Sequence, residues 1–216
     1  MYQPPQFREN RKEIMHELMR SHPFATLITI KDGDICADHL PLLIHSEASQ
    51  YGTIRGHIAK GNPLWRNEGA GFSALAIFQG PQAYITPSWY PSKKVHGKVV
   101  PTWNYAVVHA RGKLRFIDDR DWLAAHLIEL TSRNERHRAA PWKISDAPRD
   151  YVERLLRGIV GFELEITSLE GKWKVSQNKE AKDRKGVQNG LLLESNQDAT
   201  AIAELVEAAS TEHAPR

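Results

Sequence analysis

The sequence predicts an α+β fold in which antiparallel strands form a barrel and helices are inserted between them. Short runs of β-branched and aromatic residues follow one another with turn signals between them, instead of alternating regularly with helices. The run 104–117 alternates between two faces and is long enough to bend around a barrel. These two observations favour an antiparallel barrel over a parallel, doubly wound sheet.

The N-terminal segment predicts a helix over about 10–21. Asn10 followed by Glu13 resembles a capping box, and the His22-Pro23 step ends the pattern. Two apolar residues, Ile14 and Leu18, continue one side of it.

Two paired strands follow. The run 24–30 is β-branched, Asp32-Gly33 is a hairpin turn signal, and the run 35–44 is apolar again. Pro41 within the second run predicts that this strand is kinked or lies at an edge of the sheet.

The rest of the chain predicts more strands, three helices and no internal repeat. The strands are expected at 53–58, 72–79, 82–86, 104–117 and 159–166. The helices are expected at 119–134, 147–158 and 199–209.

Composition excludes several classes of protein. The chain has 216 residues and a formal net charge of +3, which is too small to predict nucleic-acid binding by itself. A single cysteine, Cys36, excludes an intrachain disulfide and a multi-cysteine metal site. We expect no membrane span and no signal peptide, and hence a cytoplasmic protein.

Short catalytic motifs are absent from the sequence. It contains no GxxxxGK[ST], GxSxG or HExxH pattern, and its ten histidines show no recurrent ligand spacing. Gly69 to Ala74 superficially fits a dinucleotide fingerprint, but a strand follows it where a helix is required. We therefore expect an ordinary loop there, no metal site and no assigned catalytic residue.

The segment 84–105 mixes aromatic, hydroxyl and cationic side chains. A protein core seldom combines them, because each buried polar group needs a partner. Flat aromatic walls suit a planar heterocycle, and cations and hydroxyls such as Ser88 suit a phosphate. The segment is either part of a binding site or a surface loop whose aromatic residues pack on the barrel.

Two further clusters carry cations. Arg55 and His57 are two apart, hence on one face of a strand, and Lys60 lies just past its end. They either converge on an anion or form a solvated strand face. The basic run 172–185 is interpreted as a solvated tail, a phosphate clamp or a nucleic-acid contact.

Several stretches of the sequence together form a specific pattern. They are ADHLP at 37–41, RGH at 55–57 with AKGNP at 59–63, FQGP at 78–81, YITPSWYP at 84–91, GKVVPTWNY at 97–105 and EGKWKVSQN at 170–178. With these stretches the sequence closely resembles the PaiB family of FMN-binding negative transcriptional regulators. The resemblance covers nearly the whole chain up to about Gly190.

The resemblance implies an FMN-binding split barrel of the pyridoxamine phosphate oxidase type, which is generally homodimeric with flavin sites at the subunit interface. It implies phosphate-binding roles for His57 and Lys60, assisted by Arg55. It implies that a flavin is lined and covered by Thr102, Trp103, Asn104, Lys174, Ser176 and Gln177.

The same resemblance implies a split-barrel domain over 1–190. The remaining residues, 191–216, match no pattern of the family and are expected to form a C-terminal helix and tail. It also implies a repressor that contacts DNA, although the sequence shows no helix-turn-helix. Two alternatives remain open. One is a flavin-dependent oxidoreductase, and the other is a haem-handling protein in which His96 or His109 ligates iron.

Overall fold

A computed structural model describes residues 1–31, 33–66 and 71–212 of the chain. Its strands are β1 (Arg8–Glu9), β2 (Phe24–Lys31), β3 (Asp34–Pro41), β4 (Leu43–His45), β5 (Thr53–Ala59), β6 (Phe72–Ile85), β7 (Thr102–Ile117) and β8 (Ile159–Lys174). Its α-helices are α1 (Lys12–Ser21), α2 (Lys93–His96), α3 (Arg120–Glu135), α4 (Arg149–Leu156), α5 (Ala181–Leu193) and α6 (Gln197–Glu212).

The described residues form two compact units. Unit 1 comprises Met1–Leu18, Gln79–Val108 and Glu170–Arg216, and unit 2 comprises Met19–Phe78 and His109–Leu169. Strands β6, β7 and β8 contribute residues to both units.

Unit 2 holds most of the sheet, whose strand order is β3-β2-β6-β7-β8-β5-β4. Strands β2 and β3 pair antiparallel from Phe24↔Pro41 to Lys31↔Asp34, so the predicted hairpin and the predicted edge position of the second strand are confirmed. Of the predicted turn, Asp32 lies outside the described residues, and Gly33 has a φ of +88°. The Gly69–Ala74 loop also lies in part outside them.

Strand β5 presents two different faces because side chains alternate along a strand. Ile54, Gly56 and Ile58 are buried, whereas Arg55 and His57 are half-buried on the opposite face. Gly56 is required for close packing, since a Cβ there would lie 2.5 Å from the ring of Phe162 on β8. The predicted shared face of Arg55 and His57 is confirmed.

Unit 1 packs helices α5 and α6 on strand ends. Its buried cluster consists of Ala83, Ile85, Tyr90, Val175, Val187, Leu191, Ala199, Ile202, Ala203 and Val206. Two glycines of α5 allow close approach to Trp89: a Cβ on Gly186 would lie 2.0 Å from its carbonyl oxygen, and one on Gly190 would lie 2.3 Å from its ring. Strand β1 pairs with the end of β8 in this unit.

Four sequence predictions need correction. The run 35–44, predicted as one strand, is divided after Pro41 into β3, which pairs with β2, and β4, which pairs with β5. The predicted strands 72–79 and 82–86 are one strand, β6, which continues through Gly80 and Pro81. Strand β8 extends to Lys174, eight residues beyond its predicted end at 166. Helix α5 was not predicted, because two glycines and a basic first turn obscure its apolar pattern.

Within the described ranges, no α-helix is both long enough and apolar enough to cross a lipid bilayer.

Candidate functional site

Arg55 lies opposite an acidic residue of the neighbouring strand. Arg55 and Glu163 are register partners of β5 and β8, and the Nε of Arg55 donates to Oε1 of Glu163 at 2.9 Å. The Nη2 of Arg115, on β7, donates to the other carboxylate oxygen at 2.5 Å. Two guanidinium groups thus share one nearly buried carboxylate, which leaves a local charge of +1 and unused N–H groups for an anion.

His57 contacts a second histidine. Its Nδ1 lies 3.2 Å from Nε2 of His126 on α3, and the two rings meet edge to face with centroids 5.3 Å apart. Burial lowers the pKa of His57. Burial also lowers the pKa of His126 to about 4, with further lowering from the charges of His57, Arg55 and His45. Both rings are therefore neutral at pH 7.

Lys60 follows the end of β5, as predicted, and it is already paired. Its Nζ lies 2.7 Å from Oδ1 of Asp118, and its backbone N–H donates to the carbonyl of Gly158. Its carbonyl accepts from the indole Nε1 of Trp65 at 2.6 Å. The backbone of Lys60 is thus fixed, while its ammonium group is held by a half-exposed carboxylate.

A cavity of about 870 Å³ opens in unit 2 beside Arg55. It is lined by cations, acids and aromatic rings, including Arg55, Lys113, Arg115, Glu163, Phe72 and Phe116. Its size lies within the usual range for small-molecule sites.

The predicted residues of unit 1 contact one another. The Nζ of Lys174, at the end of β8, donates to the hydroxyl of Thr102 and, at 2.7 Å, to the carbonyl of Trp103. Burial, with smaller effects from the charges of Lys172 and Lys179, lowers the pKa of the Lys174 ammonium. Trp103 is 52% exposed and meets Tyr84 edge to face at 6.0 Å.

Asn104 and Ser176 form a second contact in this unit. The Nδ2 of Asn104 donates to Oγ of Ser176 at 2.9 Å, and both side chains are buried. Ser176 has a φ of +65°, an uncommon conformation for a residue other than glycine, Asn or Asp. The Oδ1 of Asn104 has no hydrogen-bond partner among the residues of the described ranges.

Gln177 and Ser88 have local partners. Gln177 bridges the turn after β8, because its Oε1 accepts from the N–H of Val175 and its Nε2 donates to the carbonyl of Trp173. The hydroxyl of Ser88 lies 3.5 Å from Nζ of Lys93. Neither residue is linked by these bonds to Asn104 or Lys174.

The basic run 172–185 is structured, so its interpretation as a solvated tail is wrong. It forms the end of β8 and the start of α5. Lys172 lies over the rings of Tyr2 and Tyr105, and Lys179 lies over the ring of Tyr90 at 5.0 Å.

The chain was compared with known proteins. A family model described as "Putative FMN-binding domain" matches residues 1–168. The Bacillus subtilis (strain 168) protein named "Protease synthase and sporulation protein PAI 2" is 36% identical over 207 residues, which span 96% of this chain and 97% of that protein. The chain belongs to the PaiB family.

Two solved structures resemble this PaiB-family chain in fold. The FAD and haem binding protein from Mycobacterium smegmatis has a TM-score of 0.58 and 17% identity, over 77% of this chain and 73% of that chain. The flavocytochrome Anf3 from Azotobacter vinelandii has a TM-score of 0.55 and 11% identity, over 77% and 69%. The predicted α+β split-barrel fold, with an antiparallel sheet and inserted and flanking helices, is confirmed.

Sequence reasoning missed the partners of the predicted residues in unit 2. They are Glu163, Arg115, His126 and Asp118. No local motif marks them, because Glu163, His126 and Asp118 lie at least 58 positions from the predicted residues that they contact, and Arg115 lies 48 positions from Glu163.

Proposed function

We propose that the protein binds FMN and acts as a homodimeric negative regulator of transcription. The observation that carries the proposal is that a chain of an FMN-binding-domain family presents Arg55 and His57 on one strand face, with Lys60 immediately beyond. A phosphate needs this combination of cations and N–H donors.

The side chains of unit 2 fit a phosphate. The guanidinium of Arg55 keeps N–H groups that Glu163 does not use, and Lys60 is held only by a half-exposed ion pair. Such a pair contributes little stability, so an incoming dianion competes for the ammonium at small cost. In the proposal these residues, with His57, bind the phosphate.

The side chains of unit 1 fit a planar heterocycle. The Oδ1 of Asn104 is a buried acceptor without a described partner, and an isoalloxazine carries an N–H that would satisfy it. In the proposal Thr102, Trp103 and Asn104 line the ring, Lys174, Ser176 and Gln177 cover it, and Ser88 contributes a hydroxyl. When bound, FMN supplies reversible one- or two-electron chemistry.

That the flavin sites lie at a subunit interface is part of the proposal. It is supported by the resemblance of both sets to PaiB sequences. The regulatory role rests on the same resemblance, and the Bacillus subtilis relative is named for protease synthesis and sporulation.

The cofactor is tested by the absorption spectrum of freshly purified protein and by titration with FMN, FAD and haem. We expect the bands of a bound flavin and saturable binding of FMN. A protein that takes up haem alone, or binds no flavin, would overturn the proposal. Steady turnover of NAD(P)H by the flavin-loaded protein would favour the oxidoreductase instead.

The role of Asn104 is tested by Asn104→Leu, which puts an apolar side chain of similar branching in place of the amide and so removes both the unsatisfied Oδ1 and the Nδ2 that bonds to Ser176. We expect FMN affinity to fall about tenfold and the melting temperature to fall as well, because Oγ of the buried Ser176 loses its donor. Thr29→Val is the matched control, because Thr29 is also buried with no described partner for its hydroxyl but lies outside the proposed site. Equal effects of both variants on affinity would remove Asn104 from the site.

The regulatory role is tested by an electrophoretic shift assay with the DNA upstream of the protein's own coding sequence, with and without FMN. We expect salt-sensitive binding of a dimer. Absence of a shift under both conditions, or a monomer by sedimentation, would overturn this part.

A further inference from the structure

The position of His126 follows from a glycine in the sheet. Gly161 is the register partner of His57 in the pairing of β5 with β8. A Cβ on Gly161 would lie 2.2 Å from the indole ring of Trp122, so only glycine lets that ring lie against the strand. The ring of His126, one turn further along α3, stacks on Trp122 at 5.2 Å with an interplanar angle of 16°. This packing brings His126 to His57.

The bond between the two histidines contains one proton, because both rings are neutral. In the first arrangement Nε2–H of His126 donates to Nδ1 of His57, and His57 then carries its own proton on Nε2. In the second, Nδ1–H of His57 donates to Nε2 of His126, and His126 must carry its proton on Nδ1. The first leaves His57 an N–H donor at Nε2, whereas the second leaves a lone pair there.

Two considerations select the first arrangement. A neutral histidine side chain in water favours the Nε2–H tautomer, and the first arrangement uses that tautomer in both rings. The second arrangement places a proton on Nδ1 of His126. That atom is buried and has no hydrogen-bond partner among the described residues. A buried, unsatisfied N–H is among the rarest features of folded proteins.

We propose that His126 is a positioning residue: its Nε2–H donates to Nδ1 of His57 and so fixes His57 as a neutral Nε2–H donor for an oxyanion. The oxyanion is the phosphate of FMN, so this role rests on the function proposed above. A hydrogen-bond donor binds phosphate without a proton being taken up, whereas the lone pair of the other tautomer would repel it.

The charges around the pair agree with a neutral donor. Burial lowers the pKa of both rings, and Arg55 on β5 adds positive charge beside His126, while burial also lowers the pKa of His45 on β4. Glu129 of α3 pairs with His45 at 3.5 Å, and Glu163 of β8 is held by two arginines. His57 therefore contributes an N–H and not a full positive charge at pH 7.

The tautomers are measured in the free protein by long-range ¹H–¹⁵N correlation of the imidazole nitrogens at pH 7.5. We expect the Nε2–H pattern for both His57 and His126, with signals assigned from the variants His57→Gln and His126→Phe. An Nδ1–H pattern for His57 would overturn the inference directly, with no ligand required to decide it.

The consequence for binding is measured with inorganic phosphate and with FMN. His126→Phe keeps a ring on Trp122 but removes the donor, and we expect about a tenfold loss of affinity for both probes and a mixture of His57 tautomers. His126→Gln keeps an N–H near the position of Nε2 and should stay within about twofold of wild type. In a protein that already carries His57→Ala, we expect His126→Phe to cause no further loss of affinity for phosphate or FMN.

The two failures are distinguishable. If wild type binds no FMN, the function proposed above fails, and the tautomer spectrum and the phosphate titration still decide the role of His126. If FMN binds but His126→Phe leaves affinity and the His57 tautomer unchanged, the inference fails alone. If His126→Phe and His126→Gln weaken binding equally, His126 acts only through packing and the inference is wrong.

Discussion

The two sets of predicted site residues are held in place in different ways. In unit 1 the predicted residues contact one another: Lys174 bonds to Thr102, and Asn104 bonds to Ser176. In unit 2 each predicted donor has a partner that was not predicted. Arg55 has Glu163, His57 has His126 and Lys60 has Asp118.

This difference separates two kinds of polar site. In unit 1, Lys174 with Thr102 and Asn104 with Ser176 form two bonded pairs, so removing one member of a pair directly loosens the other. The donors in unit 2 do not hydrogen-bond one another, and their charge and proton positions are set by β8, α3 and the segment before α3. Substitutions of the partner residues, which leave every predicted residue in place, should therefore change the charge and hydrogen bonding of the donors in unit 2 and leave unit 1 unaffected.

The largest expected effect is acid destabilisation through His126. Its pKa is lowered to about 4, mainly by burial and then by His57, Arg55 and His45, whereas an unfolded histidine protonates near pH 6.5. Between these values the unfolded state binds more protons, so stability falls as the pH drops. We expect a loss of about 3 kcal/mol between pH 6.5 and 4 from this group.

Urea denaturation of wild type and His126→Phe between pH 6.5 and 4 measures this loss, as the change of the free energy of unfolding with pH. Carboxylates lose stabilising interactions in both proteins, so the difference between the two curves isolates the histidine. His45, His57, Arg55 and Glu129 are present in both. If the free energies of unfolding of the two proteins change with pH in parallel, the surroundings of His126 do not keep it neutral.

A smaller effect is expected from Gly190→Ala, which tests packing in unit 1. Alanine usually stabilises a helix relative to glycine by about 1 kcal/mol. Here a Cβ would lie 2.3 Å from the ring of Trp89, and we expect a net loss of about 2 kcal/mol. Thermal melts with near-ultraviolet circular dichroism provide the measurement. Gly61→Ala is the control, since a Cβ there meets nothing within 4 Å. A more stable Gly190→Ala protein would refute the packing of α5 on Trp89.

The smallest expected effect is a gain of affinity from Asp118→Asn. This change removes the carboxylate that holds Lys60, and a pair of this exposure contributes less than about 1 kcal/mol. We expect FMN to bind about twofold to threefold more tightly at low salt, and the gain to diminish at high salt. Asp121→Asn, at a more exposed carboxylate paired with Arg120, should leave affinity unchanged. Weaker FMN binding by Asp118→Asn would contradict this prediction. It would mean that Lys60 binds the phosphate only when Asp118 holds its ammonium group in position.

The sequence by itself determined which residues share a strand face, because side-chain alternation depends only on position along the strand. It determined the β2–β3 hairpin and the faces of β5, and its similarity to PaiB sequences indicated the split-barrel fold. Its predictions were weakest where a local signal was ambiguous, as at Pro81 within β6 and at the glycines of α5.

The tertiary structure alone decided the partners of those residues. His57 and His126 are 69 positions apart, and Arg55 and Glu163 are 108 apart, so no spacing rule connects them. Which nitrogen of His57 carries the proton depends on a ring from α3, and that ring depends on the absence of a side chain at Gly161. Contacts between residues so far apart in sequence depend on how distant segments pack. No local pattern in the sequence predicts them.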